Sequence, residues 1–161
     1  MSGKKRSTEP PDHDVQFFLD ECLPHQVSNA LSLVGYPITS ALAAGQRGVK
    51  DAKLIPYLAE NGYTWITKDD EAKRRHLDDI IKSQISTVWV RGIDRRRKDN
   101  ITPRQLHLML TNKLPDIEES LRTARAPRHF CIWLRGKVPA HDELDISSLH
   151  RKQVRRAARG L

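Results

Sequence analysis

The chain alternates short apolar runs with amphipathic stretches, and that alternation predicts strands and helices in turn. Residues 15–19 form a run continuous enough for a buried strand, ending in the adjacent acids Asp20 and Glu21, with Pro24 opening a helical pattern. Val27, Ala30, Leu31 and Val34 then recur at helical spacing, and Gly35 supplies the left-handed residue on which helices commonly end. Residues 36–40 predict a second strand. A loop carrying Gly45, Arg47 and Gly48 leads from it to Asp51, at the start of a second helix with Leu54, Ile55 and Leu58 on its buried face. Pro56 falls past the first turn of that helix, so a kink or a late start is expected. A third strand over residues 63–67 again runs into acids: Asp69, Asp70 and Glu71.

Downstream, Leu77, Ile80 and Ile81 predict a third helix and residues 86–90 a fourth strand. Thr102, Pro103 and Gln105 form a capping box with proline at the first helical position. The helix they open buries Leu106, Met109, Leu110 and Leu114, and Pro115 is expected to break or kink it before a second piece bearing Ile117 and Leu121. Residues 129–134 predict a fifth strand, and from Pro139 onward the chain is polar and ends in a basic tail, residues 149–161, whose thin stripe of Val154, Ala157 and Ala158 suits a helix formed on RNA or on an acidic partner. Such alternation indicates an α/β fold: a mostly parallel five-stranded sheet flanked by helices on both faces, a three-layer α/β/α arrangement with right-handed crossovers. If the acids after strands one and three are to meet, those strands must be neighbours. That favours the order 2-1-3-4-5, with a cleft at the switch point between strands 1 and 3.

A chain of 161 residues is long enough for one well-filled core. The expected organisation is a domain over residues 15–137, a disordered basic tail over 1–14 and a polar, basic extension over 138–161. No apolar run reaches the roughly 18 residues a membrane span needs, and the charged, proline-containing first residues lack the apolar segment of a signal peptide, so no membrane partner and a cytoplasmic location are expected. Cys22 and Cys131 make neither a metal-ligand spacing nor a disulfide framework and are expected to be small core hydrophobes. The chain has no glycine-rich phosphate loop, no HExxH and no GxSxG, and its histidines form no i, i+4 pair. His25, His76 and His129 are expected to be packed or solvated.

Charge changes this picture more than composition does. The net +8 is gathered into clusters at residues 4–6, 73–75, 95–98 and 151–159, the footprint of a phosphate-backbone partner. On the expected scaffold Asp20, Asp51 and Asp69 come from separate junctions or helix starts on one edge of the sheet, with Glu21 and Glu71 close behind. Carboxylates brought together repel, and a divalent cation resolves the conflict. Magnesium or manganese suits this all-oxygen set, and either ion can activate a water and stabilise charge on a phosphate. Capping is the plainer alternative for Asp51 and Asp70, since aspartate is an ordinary helix N-cap. Acids to hold a metal beside cations to hold a polyanion describe a metal-dependent nuclease. In that reading Arg47, Lys68, Lys73, Arg74, Arg75, Arg95 and Arg96 are candidates to grip the strand. Two rivals are a non-catalytic nucleic-acid-binding module with a degenerate acid site, and a phospho-acceptor switch like a receiver domain. The second lacks an isolated lysine after the fifth strand and leaves the basic balance unexplained.

The motifs FFLDECLP, GQRGVKDAKLI and TWITKDDEA, in that order and spacing, resemble the compact PIN-like nucleases found among the toxins of VapBC-type toxin-antitoxin pairs. The likeness covers residues 15–92 well and extends more loosely to 137. It implies a PIN-like α/β/α fold in which Asp20, Asp51 and Asp69 match the three metal-binding acids. Glu21 then matches the acid beside the first, and Glu71 stands where a further aspartate is common. Cys22 replaces the usual asparagine, Ala52 and Lys53 stand where acids are common, and Ala72 replaces an aromatic. The activity implied is that of an RNA endonuclease using magnesium or manganese and held inactive by a cognate antitoxin, with self-association into a homodimer left open.

Overall fold

A computed structural model describes residues 14–93 and 101–160. The expected N-terminal tail lies outside the described residues apart from Asp14, as do Arg95 and Arg96. Six strands form one sheet: β1 (Gln16–Leu19), β2 (Ile38–Ser40), β3 (Tyr63–Thr67), β4 (Thr87–Val90), β5 (His129–Arg135) and β6 (Val138–Glu143). Their order is β2-β1-β3-β4-β5-β6, with parallel pairing throughout except between β5 and β6. The expected order of the first five strands holds. The sheet has six strands rather than five, because the segment expected to be a polar extension returns as an antiparallel edge strand. Pro139 sits in that edge strand opposite Leu134, and an edge position tolerates a proline that a central strand would not.

The helices are α1 (His25–Leu33), α2 (Asp51–Glu60), α3 (Asp70–Arg75), α4 (Leu77–Ser83), α5 (Pro103–Arg122) and α6 (Ile146–Ala158). Alternate side chains of the strands feed two cores. Phe17, Leu19, Ile66, Val88, Val90, Phe130, Ile132 and Leu134 pack with Val27 and Leu31 of α1 and with Leu106, Met109, Leu110, Leu114 and Ile117 of α5. On the opposite face Phe18, Trp65 and Trp89 pack with Leu54, Ile55 and Leu58 of α2, Ala72 of α3 and Ile80 of α4. The period-2 alternation along each strand thus builds the three layers.

Both prolines expected to disturb helices are accommodated. α2 begins at Asp51 and runs through Pro56, which lies on its exposed side while Leu54, Ile55 and Leu58 hold the other side in the core. α5 is a single 20-residue helix rather than two pieces, opened by the capping box between Thr102 and Gln105. Pro115 cannot donate to the carbonyl of Thr111, four residues earlier, and the Tyr36 hydroxyl donates to that carbonyl instead, at 3.1 Å. The third expected helix, with Leu77, Ile80 and Ile81, is α4, and the acids after β3 open a short additional helix, α3, set off from it at His76, whose φ of −117° leaves the helical region. The basic tail is a helix already docked in the fold: α6 packs on α4, and His150 Nε2 lies 3.3 Å from Asp78 Oδ1. Among the described residues no helix is long and apolar enough to cross a membrane.

Candidate acid site at the switch point

β1 is flanked by β2, which follows it in sequence, and by β3, so the chain reverses its winding between β1 and β3. In open α/β sheets this is where the carboxyl-end crevice lies. Asp20 leaves β1 at that point with its N–H still donating to the Ile66 carbonyl of β3 at 2.9 Å, which fixes the residue against the sheet. Its side chain is 8% exposed. The carboxylate accepts from the Glu21 N–H at 2.9 Å, from the Thr67 hydroxyl at 2.6 Å and from the Cys22 thiol at 3.3 Å. Thr67, the last residue of β3, has no exposure and also accepts from the Asp69 N–H at 3.1 Å. One hydroxyl therefore ties the ends of β1 and β3 together.

Asp69 is the N-cap of α3: its Oδ1 accepts from the N–H groups of Glu71 and Ala72 at 2.8 and 3.4 Å. The capping role falls on Asp69, not on the residues considered for it. Lys50 is the N-cap of α2 and makes no side-chain cap bond, so Asp51 is the first helical residue, and Asp70 is the first residue of α3. Burial lifts the carboxyl of Asp20 above its ordinary value, and the nearby charge of Asp51 adds to that. Burial likewise lifts Asp51, where the charges of Asp69 and Glu21 raise it further and His76 opposes them. Asp51 thus feels acids from β1 and from β3, and Asp20 feels Asp51.

The remaining candidates divide. Glu21 accepts from the Gly48 N–H at 2.9 Å, and Gly48 has φ +76°, a left-handed conformation that favours glycine, so the Arg47–Gly48 turn is clipped to the end of β1. Arg47 lines a small recess of about 110 Å³ with Asp20, Glu21, His25 and Ser40. Lys68 is exposed beside Asp69. Glu71 is turned outward to Arg74 at 3.3 Å and Arg75 at 3.1 Å. Lys73 lies 5.2 Å over the Trp89 ring. Three neighbours were not anticipated from sequence as parts of the site. Thr67 carries its signal in the TWITKDD motif. His76 stands 3.9 Å from Asp51 and 3.4 Å from Asp79, and Cys22 rests on Asp20. Burial pushes the Cys22 thiol up to about 12, so it is a weak donor to Asp20 and not a nucleophile.

The donor set fits a hard divalent cation in kind: oxygen only, anionic and mutually repelling. The side chains are not drawn into a ligand cage, for among the described residues no three His, Cys, Asp or Glu groups stand close enough to hold an ion. The bonds from Thr67, Cys22 and the α3 N-terminus occupy the carboxylates of Asp20 and Asp69 instead.

An α/β sheet with acids at the carboxyl ends of neighbouring strands at its switch point is the architecture of a site for polar, charged ligands. Residues 15–92 match the family model described as PIN like domain, a stretch that contains all of Asp20, Asp51 and Asp69. The match supports a PIN-like domain over those residues, and PIN domains are generally metal-dependent nucleases, hydrolases that act on nucleic acid. No curated protein and no solved structure matches the chain.

Proposed function

We propose that the protein is a metal-dependent endoribonuclease and the toxin of a toxin-antitoxin pair. The observation that carries this reading is geometric: the Thr67 hydroxyl holds Asp20, after β1, at 2.6 Å and the backbone of Asp69, after β3, at 3.1 Å at the switch point, and the raised carboxyls of Asp20 and Asp51 agree with it. Asp20, Asp51 and Asp69 are the groups that would hold magnesium or manganese, with Glu21 and Glu71 at the margin. When bound, such an ion neutralises the acids and supplies a more acidic water for attack on the phosphodiester. Thr67 keeps the Asp20 carboxylate aimed and joined to the Asp69 backbone. His76, beside Asp51, moderates the repulsion among the acids. Arg47, Lys68 and Arg74, with Lys73 and Arg75, are placed by sequence around this rim to hold the strand, and an antitoxin would act by covering it.

Cleavage of a pooled RNA substrate in magnesium or manganese, against the same reaction in chelator, tests the activity. Asp69→Asn is the cleanest variant, since asparagine caps a helix about as well as aspartate and the fold is expected to survive. Its loss of cleavage with an unchanged melting temperature supports the reading. Full activity of Asp69→Asn and Asp51→Asn, in preparations free of contaminating nuclease, contradicts it. Growth arrest on induction of the native chain but not of Asp69→Asn tests the toxin assignment.

One observation favours a second reading, a non-catalytic nucleic-acid-binding module. The acids are engaged as hydrogen-bond acceptors and as a cap rather than gathered as ligands. That module binds RNA with an affinity falling steeply in salt and gives no metal-dependent turnover.

A further inference from the structure

Next to the acid site, α6 closes a second cleft against α3 and the end of β4. It has a volume of about 340 Å³ and is lined by Asp70, Lys73, Arg74, Arg91, Leu149 and Gln153. That volume lies within the range of small-molecule pockets, which begins at about 300 Å³. The lining is mostly cationic: Lys73, Arg74 and Arg91 stand with one carboxylate, Asp70, whose Oδ2 lies 2.5 Å from Arg91 NH1, while Arg74 also reaches Glu71 at 3.3 Å. The Nε of Arg91 is buried and, among the described residues, has no acceptor. Leu149 and Gln153, one turn apart on α6, supply an apolar wall and an amide that can both donate and accept. The cleft shares α3 with the acid site: Asp69 caps that helix and Asp70 is its first residue.

We propose that this cleft is a nucleotide subsite, holding the phosphate of a single-stranded RNA unit beside the reacting one, with the base or ribose against Leu149 and Gln153. The subsite rests on the nuclease reading for its substrate and adds to it a wall built by the C-terminal helix, which lies outside residues 15–92. Arg91 and Lys73 hold the phosphate oxygens as charged donors, and Arg74 adds to the field from the exposed rim. The glutamine amide matches the edges that single-stranded bases offer to side chains. An acidic peptide would use the cations but leave the Gln153 and Leu149 wall without a role.

Binding of a short fluorescein-labelled single-stranded RNA to the full chain in chelator, read by fluorescence anisotropy, tests the subsite without any cleavage. Gln153→Glu is expected to weaken binding at least fivefold. Gln153→Lys is expected to tighten it and to steepen the dependence of log K on log salt by about 0.7, the increment for one added phosphate contact on a single strand. Unchanged RNA affinity in both variants, with melting temperatures like the native chain, overturns the proposal. So does equal sensitivity to Gln153 when a labelled polyglutamate peptide replaces the RNA, since that reassigns the cleft to acidic protein. Binding that depends on Gln153 in a chain that cuts no RNA defeats the nuclease reading and keeps the subsite, whereas cutting with binding indifferent to Gln153 defeats the subsite alone.

Discussion

Replacing Asp20 by asparagine separates what its carboxylate does for the fold from what it does for a cation. The side chain is 8% exposed and accepts from the Glu21 N–H, the Thr67 hydroxyl and the Cys22 thiol. An amide of the same shape keeps the bond from Glu21 but loses the charge-assisted bond from Thr67, at a cost of about 1.5–3 kcal/mol. Against this, burial and the charge of Asp51 hold the Asp20 carboxyl above 3.8, so the folded chain disfavours the ionised form and a neutral amide removes that penalty. The two effects oppose, and without metal at neutral pH the net change in stability is expected to stay within about 1 kcal/mol. Magnesium then distinguishes the chains. An ion present at a hundredfold its dissociation constant stabilises the native fold by about 2.7 kcal/mol, which for a chain of this length raises the melting temperature by about 5–10 °C. In Asp20→Asn that rise is expected to vanish, and RNA cleavage to fall by about 10²-fold or more. Calorimetric melts of both proteins across a magnesium titration give the comparison. Equal magnesium-dependent shifts in the two would refute the reasoning, because the ion would then be bound elsewhere.

Three further outcomes are expected. Thr67→Val leaves the Asp20 carboxylate and the Asp69 N–H without their shared hydroxyl and is expected to destabilise the fold by about 1–3 kcal/mol in a denaturant titration; no change would mean that the hydroxyl does not join β1 to β3. His129, buried and paired with Thr87 at 2.7 Å, is held by burial at about 4 instead of 6.5. The unfolded chain takes up a proton at this residue first, so stability is lost as pH falls from 6.5 to about 4, by about 3 kcal/mol in all. Melts across that window should show a flatter profile for His129→Asn, and an identical profile would remove the assignment. With Cys22 at about 12 against an ordinary 9.0, alkylation by iodoacetamide at pH 8 in a Cys131→Ala background is expected to be about a thousandfold slower in the folded chain than in urea; comparable rates would show an accessible thiolate.

The parts of the fold that were legible in the sequence are those where one residue type has one physical use. The order of the first five strands followed from asking that Asp20 and Asp69 share a cleft, and the sheet has it. The apolar runs of β1, β3, β4 and β5 are buried on both faces, so they stand out without alternation. β6 was hidden, and α6 was expected only as a helix formed on a partner, for opposite reasons. The VPAHDE of β6 is an edge strand with a single buried residue, Pro139, and it carries almost no periodic signal. α6 buries no residue fully and packs on the core through Ile146, so its charges dominate the pattern. The prolines misled because their cost is local and can be met from elsewhere, as Tyr36 does for α5.

At the candidate site, the places of Asp20 and Asp69 just past β1 and β3 were legible in the sequence, and their hydrogen-bond engagements were not. Asp51 lacks the capping role that its place before an apolar run suggested, since the backbone turns one residue earlier, at Lys50. Asp69 takes such a role on α3. Thr67 and His76 matter through contacts across 47 and 25 positions of chain, with Asp20 and Asp51, and a linear pattern does not show such distances. The clip from Gly48 to Glu21 has the same character.

The most direct measurement is the anomalous scattering of manganese diffused into crystals of the native chain. The expected result is a peak at coordination distance, about 2.1 Å, from carboxylate oxygens of Asp20, Asp51 and Asp69, with Asp69 turned partly away from its cap. A map with no peak at the switch point, or with manganese on other residues while these three keep their hydrogen bonds, would contradict it.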